Sequence, residues 1–153
     1  MARLLSVRYL MGLFLVCSSV LFNVALAKEP VYTRFLSNVA VSGYDTVAYF
    51  TEGKPVKGDK AHSAEYQGAT WYFKNAENRA LFLSTPEKYA PQYGGYCAWA
   101  VAQNKTASAD PYQWSIVNSK LYLNYDAEVQ ARWAKDKDTL IQQADKNWPD
   151  VLN

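Results

Sequence analysis

Residues 64–78 read AEYQGATWYFKNAEN, a segment that only a mixed architecture accommodates. Ser63 to Gln67 and Thr70 to Phe73 have the aromatic and β-branched content of short strands, and Gly68-Ala69 between them makes a two-residue hairpin turn. Asn75 follows almost at once and is a good helix cap; the helix it starts places Ala80, Leu81 and Leu83 near one side. A hairpin running directly into a capped helix predicts an α+β fold. A second hairpin is expected from Gln113–Val117 and Leu121–Tyr125 around Asn118-Ser119-Lys120, with two helices after it, starting near Asp126 and Asp138 and stopped by Pro149.

The rest of the chain is punctuated by turn chemistry. Val39 to Phe50 predicts a short strand and a turn at Gly43 and Asp45, and Thr51 to Ala61 a polar loop. Thr85-Pro86 predicts a helix start with proline at its first position, Gly94-Gly95 its end, and Tyr96 to Gln103 a further helix. No internal repeat and no low-complexity tract shows in the residue identities.

Such a domain needs a packed core, because disulfides cannot hold it. Arg3 and Arg8 precede an apolar run from Tyr9 to Val24, and Ala25-Leu26-Ala27 follows, the layout of an export signal cleaved after Ala27. Ser18, Ser19 and Asn23 weaken the alternative of an uncleaved anchor, and Leu15-Val16 before Cys17 lacks the small residue of a lipidation site. Residues 1–27 are thus expected to be a signal peptide, 28–42 an arm and 43–150 the domain, in a soluble periplasmic protein with no membrane partner after cleavage. Cys97 is then the one cysteine left and His62 the one histidine. An exported chain with a single cysteine has no internal disulfide. The five tryptophans all lie beyond residue 27, and aromatic burial can supply the core. Losing Arg3 and Arg8 leaves basic residues equal in number to the 14 acidic ones, so nothing points to nucleic acid as a partner.

AHSAEYQGATWYF at 61–73, Phe82 and TPEKYA at 85–90 resemble, in that order, the YHS domain, a small module of heavy-metal transport ATPases and of many stand-alone bacterial proteins. The core resemblance spans 43–90. YAPQYGGYCAWAVA at 89–102 and LYLNY at 121–125 are similar to a group of exported single-domain members. The resemblance implies metal handling. In metal-associated members the Tyr-Phe strand is followed by a cysteine and, four residues on, by a second; here Lys74 and Asn78 stand there. The upstream aspartate is there followed three residues later by another cysteine; here Asp45 is followed by Ala48. None of these three residues offers a soft donor, so the frame is present without its thiolates.

Cys97 and His62 remain as candidate metal ligands, and a thiolate with an imidazole suits copper as Cu(I) better than four-coordinate zinc. Their alternatives are a small buried residue for Cys97 and a backbone-bonded histidine at a loop end for His62. An enzymatic reading would make Cys97, after Gly94-Gly95, a nucleophile with His62 as its base; a binding or accessory role, toward a metal ion or another exported protein, is favoured over it. A third reading uses aromatic residues, with Tyr93, Tyr96 and Trp99 lining a site for a small molecule or a partner.

Overall fold

The computed structural model describes residues 27–153; the signal assigned to residues 1–27 lies, apart from Ala27, outside the described residues. Two short hairpins, each followed by helices, make an α+β domain. A 3-10 turn at Val41–Gly43 leads to α1 (Ala48–Thr51), then β1 (Asp59–Tyr66) and β2 (Ala69–Phe73) form the first hairpin, followed by α2 (Ala76–Ser84) and α3 (Pro86–Tyr89). A second 3-10 turn at Gln92–Gly95 leads to α4 (Ala98–Ala102), β3 (Asp110–Val117) with β4 (Lys120–Asn124), α5 (Ala127–Lys135) and α6 (Lys137–Asn147). No helix of the described residues is long and apolar enough to cross a membrane.

These elements form one motif used twice, contrary to the absence of a repeat in the residue identities. In the first hairpin Asp59 pairs with Phe73 and Tyr66 with Ala69; in the second Asp110 pairs with Asn124 and Val117 with Lys120, every partner shifted by the 51 residues that separate Asp59 from Asp110. Both first strands are bulged at the same place, after that aspartate. Asp59 Oδ1 accepts from Ala61 N and Asp110 Oδ1 from Tyr112 N, both at 2.9 Å. Asn75 caps α2 through Asn78 N, and Asp126, again 51 residues on, caps α5 through Val129 N. Both capped helices have nine residues. Turn, bulge and cap chemistry is kept, while the side chains between are exchanged, so the duplication is written in backbone geometry.

Each copy builds its own aromatic core. Trp71 packs on Phe82 with ring centroids 5.0 Å apart, and at the corresponding positions Tyr122 packs on Trp133 at 5.4 Å. Strand β4 joins the two cores: Leu121 and Leu123 face the first while Tyr122 faces the second, as the alternation of a strand requires. Residues 28–42 lie against this body. Val31 is buried in the first core, Lys28 N donates to Leu152 O, and Tyr32 N to Gly94 O.

Some local expectations change. Val39–Phe50 forms a 3-10 turn and a short helix instead of a strand, with isolated bridges at Val39, Ala40 and Tyr44, because Asp45 N–H and carboxylate are drawn into contacts across the fold. Strand β1 starts within the expected loop. The first turn is Gln67-Gly68, one residue earlier than expected, with φ of 49° and 79°. Tyr66 is half-buried at the edge of the first core, while Trp71, Phe73 and Phe82 are fully buried.

Candidate functional site

The stretch before α1 brings Asp45 against Lys74 and Asn78, two of the positions that the resemblance assigns to thiolates. Asp45 is fully buried, and its carboxylate accepts from Val47 N at 2.9 Å, Lys74 N at 2.9 Å and Asn78 Nδ2 at 2.7 Å. Ala48 is buried beside it. Two of the positions of the missing thiolates, Lys74 and Asn78, thus meet at the Asp45 carboxylate, one through its backbone N–H and the other through its side-chain amide. Lys74 turns its ammonium outward to Glu52 Oε1 at 2.5 Å, which pulls the Glu52 carboxyl below its ordinary range. A buried carboxylate facing three N–H donors is satisfied without a cation, so these residues do not fit a soft metal ion.

The second copy has a counterpart of this nest, and Cys97 occupies it. Gly43-Tyr44-Asp45 in one copy answers to Gly95-Tyr96-Cys97 in the other, with Gly43 and Gly95 at φ of 78° and 81°. Asp45 N donates to Val56 O and Cys97 N to Ala107 O. Trp99 follows Cys97 by two residues as Val47 follows Asp45, but its N–H goes to Asn124 Oδ1, itself the acceptor of the thiol, whereas Val47 N–H goes to the Asp45 carboxylate. Burial raises the Cys97 pKa above its ordinary value, and the backbone N–H groups of Ala100, Tyr125 and Trp99 oppose that rise.

An amide network surrounds the thiol. Cys97 Sγ donates to Asn124 Oδ1 at 3.6 Å, and Trp99 N donates to the same oxygen at 3.1 Å. Asn124 Nδ2 donates to Gln130 Oε1 at 2.7 Å, and Gln130 Nε2 continues to Ser115 Oγ at 2.7 Å. Asn124 and Gln130 were not among the sequence candidates. The available signal was a lone polar residue ending the apolar strand LYLN, since a fully buried asparagine needs partners.

His62 lies elsewhere, half-buried in the bulged stretch of β1 in the first copy, and is not a hydrogen-bond partner of the Cys97 thiol. Among the described residues, no group of three or more His, Cys, Asp or Glu side chains is placed to hold a metal ion. Of the aromatic candidates, Tyr93 and Tyr96 are buried and Trp99 half-buried. Tyr93 donates to Asp145 Oδ1 at 2.8 Å and Tyr96 to Glu29 O at 2.9 Å. Tyr96 also lines a hollow of about 460 Å³ with Tyr32, Val31 and Ala107.

No curated protein and no solved structure matches the chain. Residues 47–93 match the family model of the YHS domain. That interval begins beside Asp45 and ends at the turn into the second copy, so it covers the hairpin, α2 and α3. The first copy of the motif is thus the part of the chain that is similar to the YHS domain.

Proposed function

We propose that this protein is an exported accessory protein that handles a soft metal ion, with Cys97 as its thiolate donor, His62 as a second candidate donor, and no catalytic reaction of its own. The observation that carries the reading is the equivalence of Cys97 and Asp45. The first nest holds a carboxylate that its own N–H donors satisfy; the second holds a thiol, the donor type that Cu(I) prefers. Backbone N–H groups around the sulfur lower the cost of the thiolate that a metal needs. With Asn124 on the thiol, Cys97 lacks the imidazole contact that a cysteine nucleophile requires, which favours binding over catalysis.

The test uses mature protein from an exporting host, whose intact mass should begin at Lys28. Anaerobic titration with Cu(I) against a chelator should give one equivalent bound. Cys97→Ala should abolish binding, whereas His62→Ala should weaken it less, because the sulfur–metal bond dominates for a soft ion. Affinity should climb with pH through neutrality, since the metal must displace a proton from a thiol whose pKa is raised. Binding that survives Cys97→Ala, or no stoichiometric binding by the wild type, would overturn the reading.

A further inference from the structure

The arm contains a feature that neither core explains. Arg34, Phe35, Leu36 and Ser37 form a tight turn closed by Ser37 N donating to Arg34 O at 2.9 Å, with its legs tied by the Thr33–Ala40 bridge. Phe35 and Leu36 at its tip are each 92% exposed. Turn tips of this kind ordinarily carry Gly, Asn or Asp. Leu36 instead sits at φ 60°, a region costly for a bulky L-residue, and gains no contact in return.

The surroundings of the tip are basic and aromatic. Arg34, Lys57 and Lys60 line a hollow of about 340 Å³ beside it, together with Ser37, Ser42 and Tyr72, and no acidic residue lines it. The Lys57 ammonium donates to Ser42 O at 2.7 Å and stands 4.6 Å over the Tyr44 ring. Tyr44 meets Tyr112 edge-on, hydroxyl to hydroxyl at 3.2 Å, and Tyr112 is 61% exposed. Asp110 is the acid close to this pair, and Arg34 opposes its field there.

We propose that the Arg34–Ser37 turn, with Lys57 and Lys60 beside it, docks the protein on an anionic phospholipid surface. Phe35 and Leu36 enter the boundary between headgroups and acyl chains, tyrosines sit at headgroup level, and the cations meet lipid phosphates. Two apolar side chains on a convex turn are far too small for a specific protein interface, which needs about 800 Å² from each partner. They are enough for weak, reversible lipid binding when charge assists. This replaces the expectation of no membrane partner after cleavage: the contact is peripheral and spans nothing.

The test is co-sedimentation of residues 28–153, which contain every residue of both cores, with vesicles of phosphatidylglycerol in phosphatidylcholine or of phosphatidylcholine alone. Binding is expected only to the anionic vesicles and should be lost at high salt. Phe35→Ser with Leu36→Ser should lower partitioning about tenfold or more, given the apolar burial each side chain would lose. Lys60→Gln with Arg34→Gln should weaken binding to anionic vesicles as well. Unfolding midpoints of the tip variants should not fall, because neither tip side chain packs on the fold. No sedimentation of the wild type with anionic vesicles, or tip variants that bind as well as wild type, would overturn the proposal. A protein partner captured through Phe35 and Leu36 without vesicle binding would overturn it equally, in favour of protein docking.

Discussion

Asp45 shows how one residue holds distant parts of this fold together. It lies between an apolar stretch and α1, yet its carboxylate ties Lys74 and Asn78 of the first hairpin and helix to its own loop. Replacing it with alanine strands three donors at a buried site, at about 1–3 kcal/mol for each donor that finds no new partner. Asp45→Ala should therefore lower stability by about 3–5 kcal/mol in denaturant unfolding. Trp71→Ala should cost a similar amount, about 3–5 kcal/mol, for a different reason: a cavity beside Phe82. The two differ in their repair. Asp45→Asn keeps an acceptor and should recover part of the loss, whereas Trp71→Phe should do so by refilling volume. An Asp45→Ala midpoint equal to wild type would mean that the carboxylate carries no structural load.

At the scale of elements, two glycines separate backbone strain from crowding. Gly68 closes the first hairpin at φ 79° with open space around a would-be Cβ, so Gly68→Ala should cost only the left-handed penalty, about 1 kcal/mol. Gly94 has φ 59° as well, but there a Cβ would meet Pro30 O at 1.8 Å. Gly94→Ala must push the arm off the second 3-10 turn and break the bond from Tyr32 N to Gly94 O. It should lower the unfolding midpoint clearly more than Gly68→Ala and raise amide exchange at Tyr32. Equal effects of the two substitutions would show that the arm is not fastened there. The hairpins themselves were legible beforehand from Gly68 and from Asn118-Ser119, both of which supply positive φ at the turns. Less legible was the Val39–Phe50 stretch, because its β-branched residues read as a strand while Asp45 anchors it elsewhere.

For the whole molecule, the buried hydroxyls and the thiol make stability fall in alkali. Burial raises Tyr49 and Tyr93 well above their ordinary 10.0 and Tyr122 to about 12, and it raises Cys97 above 9.0. In the unfolded chain these groups lose their protons at ordinary values, so the native state holds more protons from about pH 9 upward. Their contribution is fully present below that point and is lost as pH climbs through 10 toward 12. Unfolding midpoints should thus be flat near neutrality and drop steeply above about pH 10. Tyr122→Phe should blunt the drop, and an unaltered alkaline limb in that variant would exclude Tyr122 as a contributor.

Local chemistry alone determined the fold class, the two hairpins and the capped helices, because turns and caps depend on residues close in the chain; the missing thiolates came from the family resemblance. It also singled out Cys97. Only the tertiary structure decided what surrounds that thiol. Cys97 is far in sequence from Asn124 and Gln130, and its hydrogen bond to that amide pair exists because β4 lies between the two cores. The duplication, too, became visible only in three dimensions. Asp45 and Cys97 share no chemistry as residue types; they are equivalent because the same glycine-led turn and the same hairpin register deliver each of them to a buried, hydrogen-bonded nest.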